Sequence, residues 1–222
     1  MPLAVPLETP LQTLVLIGGG EFSFGETREI DALLLARMPP DRRTVAFLPT
    51  ASGSAEYATH FGAYLRALDA SVEVINVPIY RGRDNRRQKS LDAIRSAGLV
   101  YLGGGLPHQL LSTIRESPAE EALRAAAAGG AVIAAIGASA SSFGAFARDP
   151  RNNAPLPGFG WLKRTAVETG FTAGNDTALR RMMSLPEIDL GIGLPSQTAL
   201  VIGADGSAEV AGAGNVAAFR RP

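Results

Sequence analysis

The sequence predicts one α/β domain over residues 1–222, a three-layer sandwich with a mainly parallel central sheet and a C-terminal β meander. Two observations predict it. Short apolar, β-branched runs alternate with helix-length segments as far as Ile136, which is typical of parallel strands covered by helices on both faces. With 46% hydrophobic residues in 222, the chain can also bury one sizeable core.

Five apolar runs predict the strands of the parallel block. They are Thr13–Ile17, Thr44–Leu48, Val72–Val77, Leu99–Leu102 and Ala131–Ile136. Four helical patterns lie between or beside them, at Glu26–Arg37, Ala55–Leu68, Gln88–Ser96 and Ser117–Ala128, with a shorter helical turn from His108. Ligands of such folds bind outside the carboxyl ends of the strands, so the turns at that edge are expected to form the site.

The rest of the chain has a different pattern. Three prolines and two glycines in Asp149–Gly160 predict an irregular loop. Short apolar runs at Ile188–Ile192, Gln197–Ile202 and Glu209–Ala213 predict the meander, with a hairpin turn at Ala204–Ser207.

Composition excludes several classes of function. The 21 acidic and 21 basic residues lack the charge excess of a nucleic-acid binder, and the absence of cysteine excludes disulfides, thiolate metal sites and a cysteine nucleophile. Two isolated histidines predict no metal site. The N-terminus does not resemble a signal peptide, and no apolar run approaches the ~20 residues that cross a bilayer, so we expect a cytoplasmic protein without a membrane partner. The sequence does not decide whether the protein forms a homodimer.

Two glycine clusters follow predicted strands. Gly18–Gly20 does not continue into a dinucleotide-binding motif, because Ser23 occupies the place of the third glycine, and we predict no cofactor. Gly103–Gly105 leads into a helix whose first amides are free to hold an oxyanion, although a plain turn explains the cluster equally well.

An apolar strand also leads into Gly137-Ala138-Ser139-Ala140-Ser141. This approximates the Gly-x-Ser-x-Gly nucleophile elbow, with Ser141 in place of the second glycine. The pattern predicts an openly presented Ser139 hydroxyl, with the amide of Ala140 aimed at the same point. A turn of small residues made only for packing is the alternative.

Taken in order, these motifs resemble the cyanophycinase and dipeptidase E family of serine peptidases, relatives of the class I glutamine amidotransferase fold. The likeness covers most of the chain, and it rests on Gly18–Gly20, Phe47–Ser52, Ala97–Leu111, the turn around Ser139, Gly191–Gly193 and Thr198–Leu200.

The resemblance implies specific roles for a few residues. Ser139 would be the nucleophile and the amides of Gly105 and Ala140 the oxyanion hole. Apart from the resemblance, Gly104 and His108 are predicted as binding residues because they belong to or follow the glycine loop at the same edge of the sheet. Two departures stand out. Gly170 occupies the position of the family's histidine, and Pro195-Ser196 replaces an acidic pair. A serine without a neighbouring base is a poor nucleophile.

Few residues could replace the missing base. His60 lies within a helical pattern and is interpreted as a surface or packing residue, whereas His108 follows the glycine loop at the edge of the sheet. Glu168 and Asp176 are weaker candidates. The basic run Arg81–Arg87 could bind a carboxylate or phosphate, but a solvated loop explains it better.

Three hypotheses follow. The first is a diverged, weak or inactive peptidase homologue that binds a small peptide-like or carboxylate ligand. The second is an active serine hydrolase that cleaves aspartyl-type peptide bonds with a rebuilt base such as His108. The third is a structural or interaction protein without a ligand.

Overall fold

A computed structural model describes residues 3–221, which form two β-sheets and seven α-helices. The strands are β1 (Leu3–Ala4), β2 (Thr13–Ile17), β3 (Thr44–Leu48), β4 (Glu73–Asn76), β5 (Leu99–Leu102), β6 (Val132–Ile136), β7 (Phe146–Arg148), β8 (Pro155–Pro157), β9 (Thr165–Thr169), β10 (Leu190–Leu194), β11 (Thr198–Gly203), β12 (Ser207–Gly212) and β13 (Ala217–Arg220). The helices are α1 (Arg28–Arg37), α2 (Ala55–Leu68), α3 (Gln88–Ser96), α4 (Pro107–Ile114), α5 (Pro118–Ala128), α6 (Ala138–Ser141) and α7 (Thr177–Met183).

The larger sheet has eight strands in the order β1-β12-β11-β2-β6-β5-β3-β4. Strands β2, β6, β5, β3 and β4 are mutually parallel, as predicted, and β11, β12 and β1 extend the sheet with antiparallel pairs. The fold is therefore mixed α/β.

Helices cover both faces of this sheet because successive strand residues point to opposite sides. Leu14 and Leu16 of β2 belong to a core shared with α3, α4 and α5, whereas Val15 and Ile17 belong to a core shared with α1 and α2. Buried apolar residues on both faces account for the continuous hydrophobic runs seen in the sequence.

The predicted meander is wrong in its connectivity. Strand β10 pairs with β9 and β13 in a second, five-stranded sheet, while β11 and β12 form a hairpin in the larger one. Two glycines on β10 let neighbouring side chains pack directly against its backbone. A side chain at Gly193 would overlap the ring of Phe171, and one at Gly191 would overlap Met183 of α7. Sequence patterns did not predict β9, α7 or β13.

The predicted loop Asp149–Gly160 is also not wholly irregular. Its Pro155–Pro157 segment is strand β8, which pairs antiparallel with β7 at the edge of the smaller sheet. An edge strand tolerates proline because one side of its backbone needs no hydrogen-bonded partner.

The turns that follow β2, β3, β5 and β6 meet at one edge of the larger sheet. Backbone hydrogen bonds join them: the Gly103 amide donates to Leu48 O at 3.0 Å, and the Gly137 amide donates to Ile17 O at 2.8 Å. In residues 3–221, no helix has both the length and the apolar character needed to span a bilayer.

Candidate functional site

The sharp turn between β6 and α6 is made by Gly137. Its backbone has φ 57° and ψ −127°, a conformation that strains any residue with a side chain. A Cβ built on Gly137 would meet no atom within 4 Å. Gly137 thus faces open space. On a strand-to-helix elbow, the nucleophile occupies this position.

Ser139 lies two positions further on, inside α6. It is completely buried, and its Oγ donates a hydrogen bond of 2.6 Å to the carbonyl oxygen of Gly103. The expectation of an openly presented hydroxyl is therefore not met. The physical reason is that β6 ends at Ile136, so the chain turns before it reaches the serine.

Ala140, predicted to offer an oxyanion-hole amide, is also completely buried in α6. In an elbow the amide that serves this purpose belongs to the residue directly after the turn, which here is Ala138. Ala138 and Gly105 line the same cavity. Sequence reasoning missed Gly137 and Ala138, although the end of the apolar run at Ile136 was a usable signal.

Two neighbouring cavities open beside this turn. The first, the Gly137 cavity, has a volume of about 270 Å³ and is lined by Gly19, Gly20, Glu21, Ser52, Tyr57, Gly104, Ile136 and Gly137. The second, the Arg148 cavity, has a volume of about 170 Å³ and is lined by Gly105, Pro107, Ala138, Ser141, Arg148, Pro150, Glu168 and Thr169. Gly104 and Gly105 therefore face different cavities, and their role in binding stays a prediction.

Gly105 has a second structural reason to be glycine. Its φ is +149°, and a Cβ there would overlap the backbone of Ala51 and Ser52. The next amide, that of Leu106, donates to Ala51 O at 2.9 Å. The absent side chain lets the β5–α4 turn pack directly against the β3–α2 turn.

Gly170, where the resemblance places a histidine, directly follows β9. Its φ is +64°, a Cβ there would meet no atom within 4 Å, and its amide donates to Gly18 O at 2.9 Å. Since the Gly137 amide bonds the adjacent carbonyl of Ile17, both glycines lie at the end of β2.

Pro195-Ser196, which stands where the family resemblance places an acidic pair, also lies at the end of β2. The carbonyl of Pro195 fills the space that a Gly18 side chain would need, and the Ser196 hydroxyl lies near Gly19. This segment brings no carboxylate to the site, because neither Pro195 nor Ser196 carries one.

Neither histidine lines either cavity. His60 is exposed on α2, and His108 is half-buried in the first turn of α4 with its Nδ1 lacking a hydrogen-bond partner among the described residues. Hydrogen bonds from Arg151, and to a smaller extent the charge of His108, lower the pKa of Asp149 to about 2. His108 itself lines neither the Gly137 cavity nor the Arg148 cavity.

The two carboxylates considered as bases are held in ion pairs. Arg148 donates from Nε to both oxygens of Glu168, at 3.1 and 3.2 Å, and this bonding raises the pKa of the Arg148 guanidinium. A hydrogen bond from Arg180 lowers the pKa of Asp176. Within residues 3–221, no three His, Asp or Glu side chains cluster as metal ligands.

A larger cavity, of about 520 Å³, lies away from this edge, between α7 and β13. Its arginines are used in the fold: Arg221 donates to Pro186 O at 3.2 Å and to Leu185 O at 2.7 Å, and Arg180 lies over the ring of Phe219. We therefore place the functional site at the parallel-strand edge.

Comparison with known proteins identifies the family of the chain. Residues 14–155, which contain β2 to β6 and the Gly137 turn, match the model of peptidase family S51. The chain belongs to peptidase family S51. The family resemblance seen in the sequence is thereby confirmed.

The S51 chain is similar to the uncharacterized peptidase YgaJ of Bacillus subtilis (strain 168), with 28% identity over 133 residues. That match covers 59% of this chain, and the chain spans about half, 55%, of the relative's length.

Solved structures show the same fold. A peptidase from an acI-B1 Actinobacterium superposes with a TM-score of 0.78 at 23% identity, covering 93% of this chain and 89% of that one. A candidate peptidase E from Listeria monocytogenes EGD-e gives a TM-score of 0.60 at 15% identity, covering 96% of this chain and 100% of that one. At these identities the likeness concerns the fold alone.

Proposed function

We propose that this S51 chain is a non-hydrolytic or very weakly hydrolytic homologue that keeps the Gly137 cavity as a binding site for a small peptide-like or carboxylate ligand. One observation carries the proposal: the residue at the strand-to-helix turn, where the nucleophile of an elbow stands, is a glycine. The glutamine amidotransferase-like assignment of the three-layer fold belongs to the same proposal.

A serine peptidase needs a hydroxyl at the turn and a base beside it. Here Gly137 and Gly170 have no side chains, and they lie together at the end of β2. In subtilisin, losing either the serine or the histidine costs on the order of 10⁶-fold in turnover. The loss of both supports a protein that does not turn over peptides efficiently.

Two other hydroxyls near the turn donate to backbone carbonyls and not to a base. Ser52 Oγ donates to Pro49 O at 3.2 Å, and Ser141 Oγ donates to Ala138 O at 2.9 Å. Both acceptors are backbone carbonyls, which do not remove a proton at neutral pH. An active hydrolase with Ser139 and His108 would need Ser139 to leave its buried hydrogen bond to Gly103 and His108 to move to the cavity edge, which it does not line.

The open space supports retention of a ligand site. The Gly137 cavity is slightly smaller than the ~300–1,000 Å³ typical of sites for drug-sized ligands, so it suits a ligand of amino-acid or dipeptide size. Its glycines allow a ligand to approach the backbone closely.

The test is calorimetric titration with the dipeptide Asp-Ala, followed by mass spectrometry of the recovered ligand. We expect 1:1 binding and intact dipeptide. Gly104→Leu should abolish binding, because a Cβ at Gly104 lies 3.7 Å from Ile136 O and the longer side chain would fill the cavity. Gly82→Leu is the matched control, since a Cβ there meets no atom within 4 Å.

Two outcomes would contradict the proposal. Release of free aspartate and alanine that disappears in Ser139→Ala would establish the active hydrolase. No binding by the wild type to Asp-Ala would favour a structural or interaction protein.

A further inference from the structure

Among the residues that line the Gly137 cavity, one is charged, Glu21. Glu21 is half-buried, and none of the ion pairs found within residues 3–221 includes it. No arginine, lysine or histidine lines this cavity. The cavity therefore offers a negative charge without a cation of the protein to neutralise it.

The position of Glu21 is set by its own turn. Its Oε1 accepts hydrogen bonds from the Ser23 hydroxyl at 3.3 Å and the Ser23 amide at 3.4 Å, while its backbone amide donates to Glu26 Oε2 at 2.7 Å. The other carboxylate oxygen, Oε2, takes part in none of these bonds. The side chain is thus held in place with one oxygen available to a ligand.

Tyr57 also lines this cavity. Its ring is stacked with Phe47 at 5.7 Å and with Phe61 at 6.0 Å between ring centroids, and it meets Phe22 edge-on at 5.2 Å. Burial, and then the charges of Glu21 and Asp31, raise the pKa of the Tyr57 phenol, so it stays neutral. The oxygen of a neutral phenol can accept a hydrogen bond from an ammonium group.

From the shared cavity, the unpaired carboxylate and the neighbouring phenol, we propose that Glu21 and Tyr57 bind the ammonium group of the ligand. The ligand class is then a small primary amine, such as the free amino end of a dipeptide, and not a simple carboxylate. This inference rests on the proposed function, because it concerns the same cavity.

The test compares two probes, the dipeptide Ala-Ala and its N-acetyl derivative, by calorimetric titration. A charge-assisted hydrogen bond to a carboxylate predicts that the wild type binds Ala-Ala roughly tenfold or more tightly than N-acetyl-Ala-Ala. Glu21→Gln keeps an oxygen for Ser23 but removes the charge, and it should abolish that preference.

Glu29→Gln is the matched control, because Glu29 is an exposed carboxylate in the first turn of α1 and lines neither cavity. It should keep the preference of the wild type. Equal affinity of the wild type for both probes, or an unchanged preference in Glu21→Gln, would overturn the inference and leave the proposed function standing. Failure of the wild type to bind either probe would overturn both.

Discussion

At the scale of single residues, the site depends on which residue occupies the turn after β6. Gly137 occupies it, and Ser139 is turned inward, where its hydroxyl satisfies the carbonyl of Gly103. A buried hydroxyl with a protein acceptor stabilises the fold, whereas a nucleophile must be free to reach a substrate. The chemistry that the sequence pattern indicates at Ser139 is thereby replaced by a structural contact between α6 and the β5–α4 turn.

Ser139→Ala should therefore act on stability. We expect a loss of roughly 1–3 kcal/mol in the free energy of unfolding, because the Gly103 carbonyl loses its donor in a buried place. Ser112→Ala, at an exposed position on α4, should change stability by less than about 0.5 kcal/mol. Denaturant titration of both variants measures the difference. Equal stability of Ser139→Ala and the wild type would mean that the hydrogen bond does not contribute.

At the scale of elements, helices α1 and α2 are joined by a buried carboxylate. Asp31 of α1 accepts hydrogen bonds from Thr27 at 2.7 Å and from the Tyr64 hydroxyl of α2 at 2.8 Å. Its second oxygen has no partner among the described residues. Burial raises the pKa of Asp31 to about 6, against a usual value of 3.8, even though both hydrogen bonds lower it.

This shift gives stability a defined pH dependence. The folded state binds the Asp31 proton more tightly than the unfolded state, so its contribution is fully present below pH 4 and is lost as pH rises through 6. A shift of about two units corresponds to roughly 3 kcal/mol. The free energy of unfolding of the wild type, minus that of Asp31→Asn, should fall by about this amount between pH 4 and pH 8. Denaturant titrations at several pH values measure it, and parallel pH profiles for the two proteins would contradict the assignment.

At the scale of the whole molecule, local patterns predicted the parallel block well. Strands β2, β3 and β5 have the predicted bounds, because continuous buried runs between glycine-rich turns have few alternative structures. The smaller sheet was not predictable in this way. Its strand β10 packs through Gly191 and Gly193 against groups distant in sequence, and glycine gives little local signal for a strand.

At the candidate site, the residue indicated by the sequence motif and the residue at the turn are two positions apart. The glycine loops, and the absence of a histidine at residue 170, could be recognised in the sequence, and the structure brings Gly18 and Gly170 together at the end of β2. The residue at the elbow was misassigned, because Ser139 fits the motif and outweighed the end of the apolar run at Ile136, where β6 in fact ends and the chain turns. Glu21 had no sequence signal, since its role depends on the absence of nearby cations.

The most direct test of the account is labelling with a fluorophosphonate probe, which reacts with activated serines. We predict that the wild type stays unlabelled and that Gly137→Ser combined with Gly170→His becomes labelled at residue 137. Both positions are open to a Cβ, although their positive φ values should cost about 1–3 kcal/mol each. Circular dichroism should confirm that the double variant is folded. Labelling of the wild type at Ser139, or a folded double variant that stays unlabelled, would contradict the claim that Gly137 occupies the place of the nucleophile.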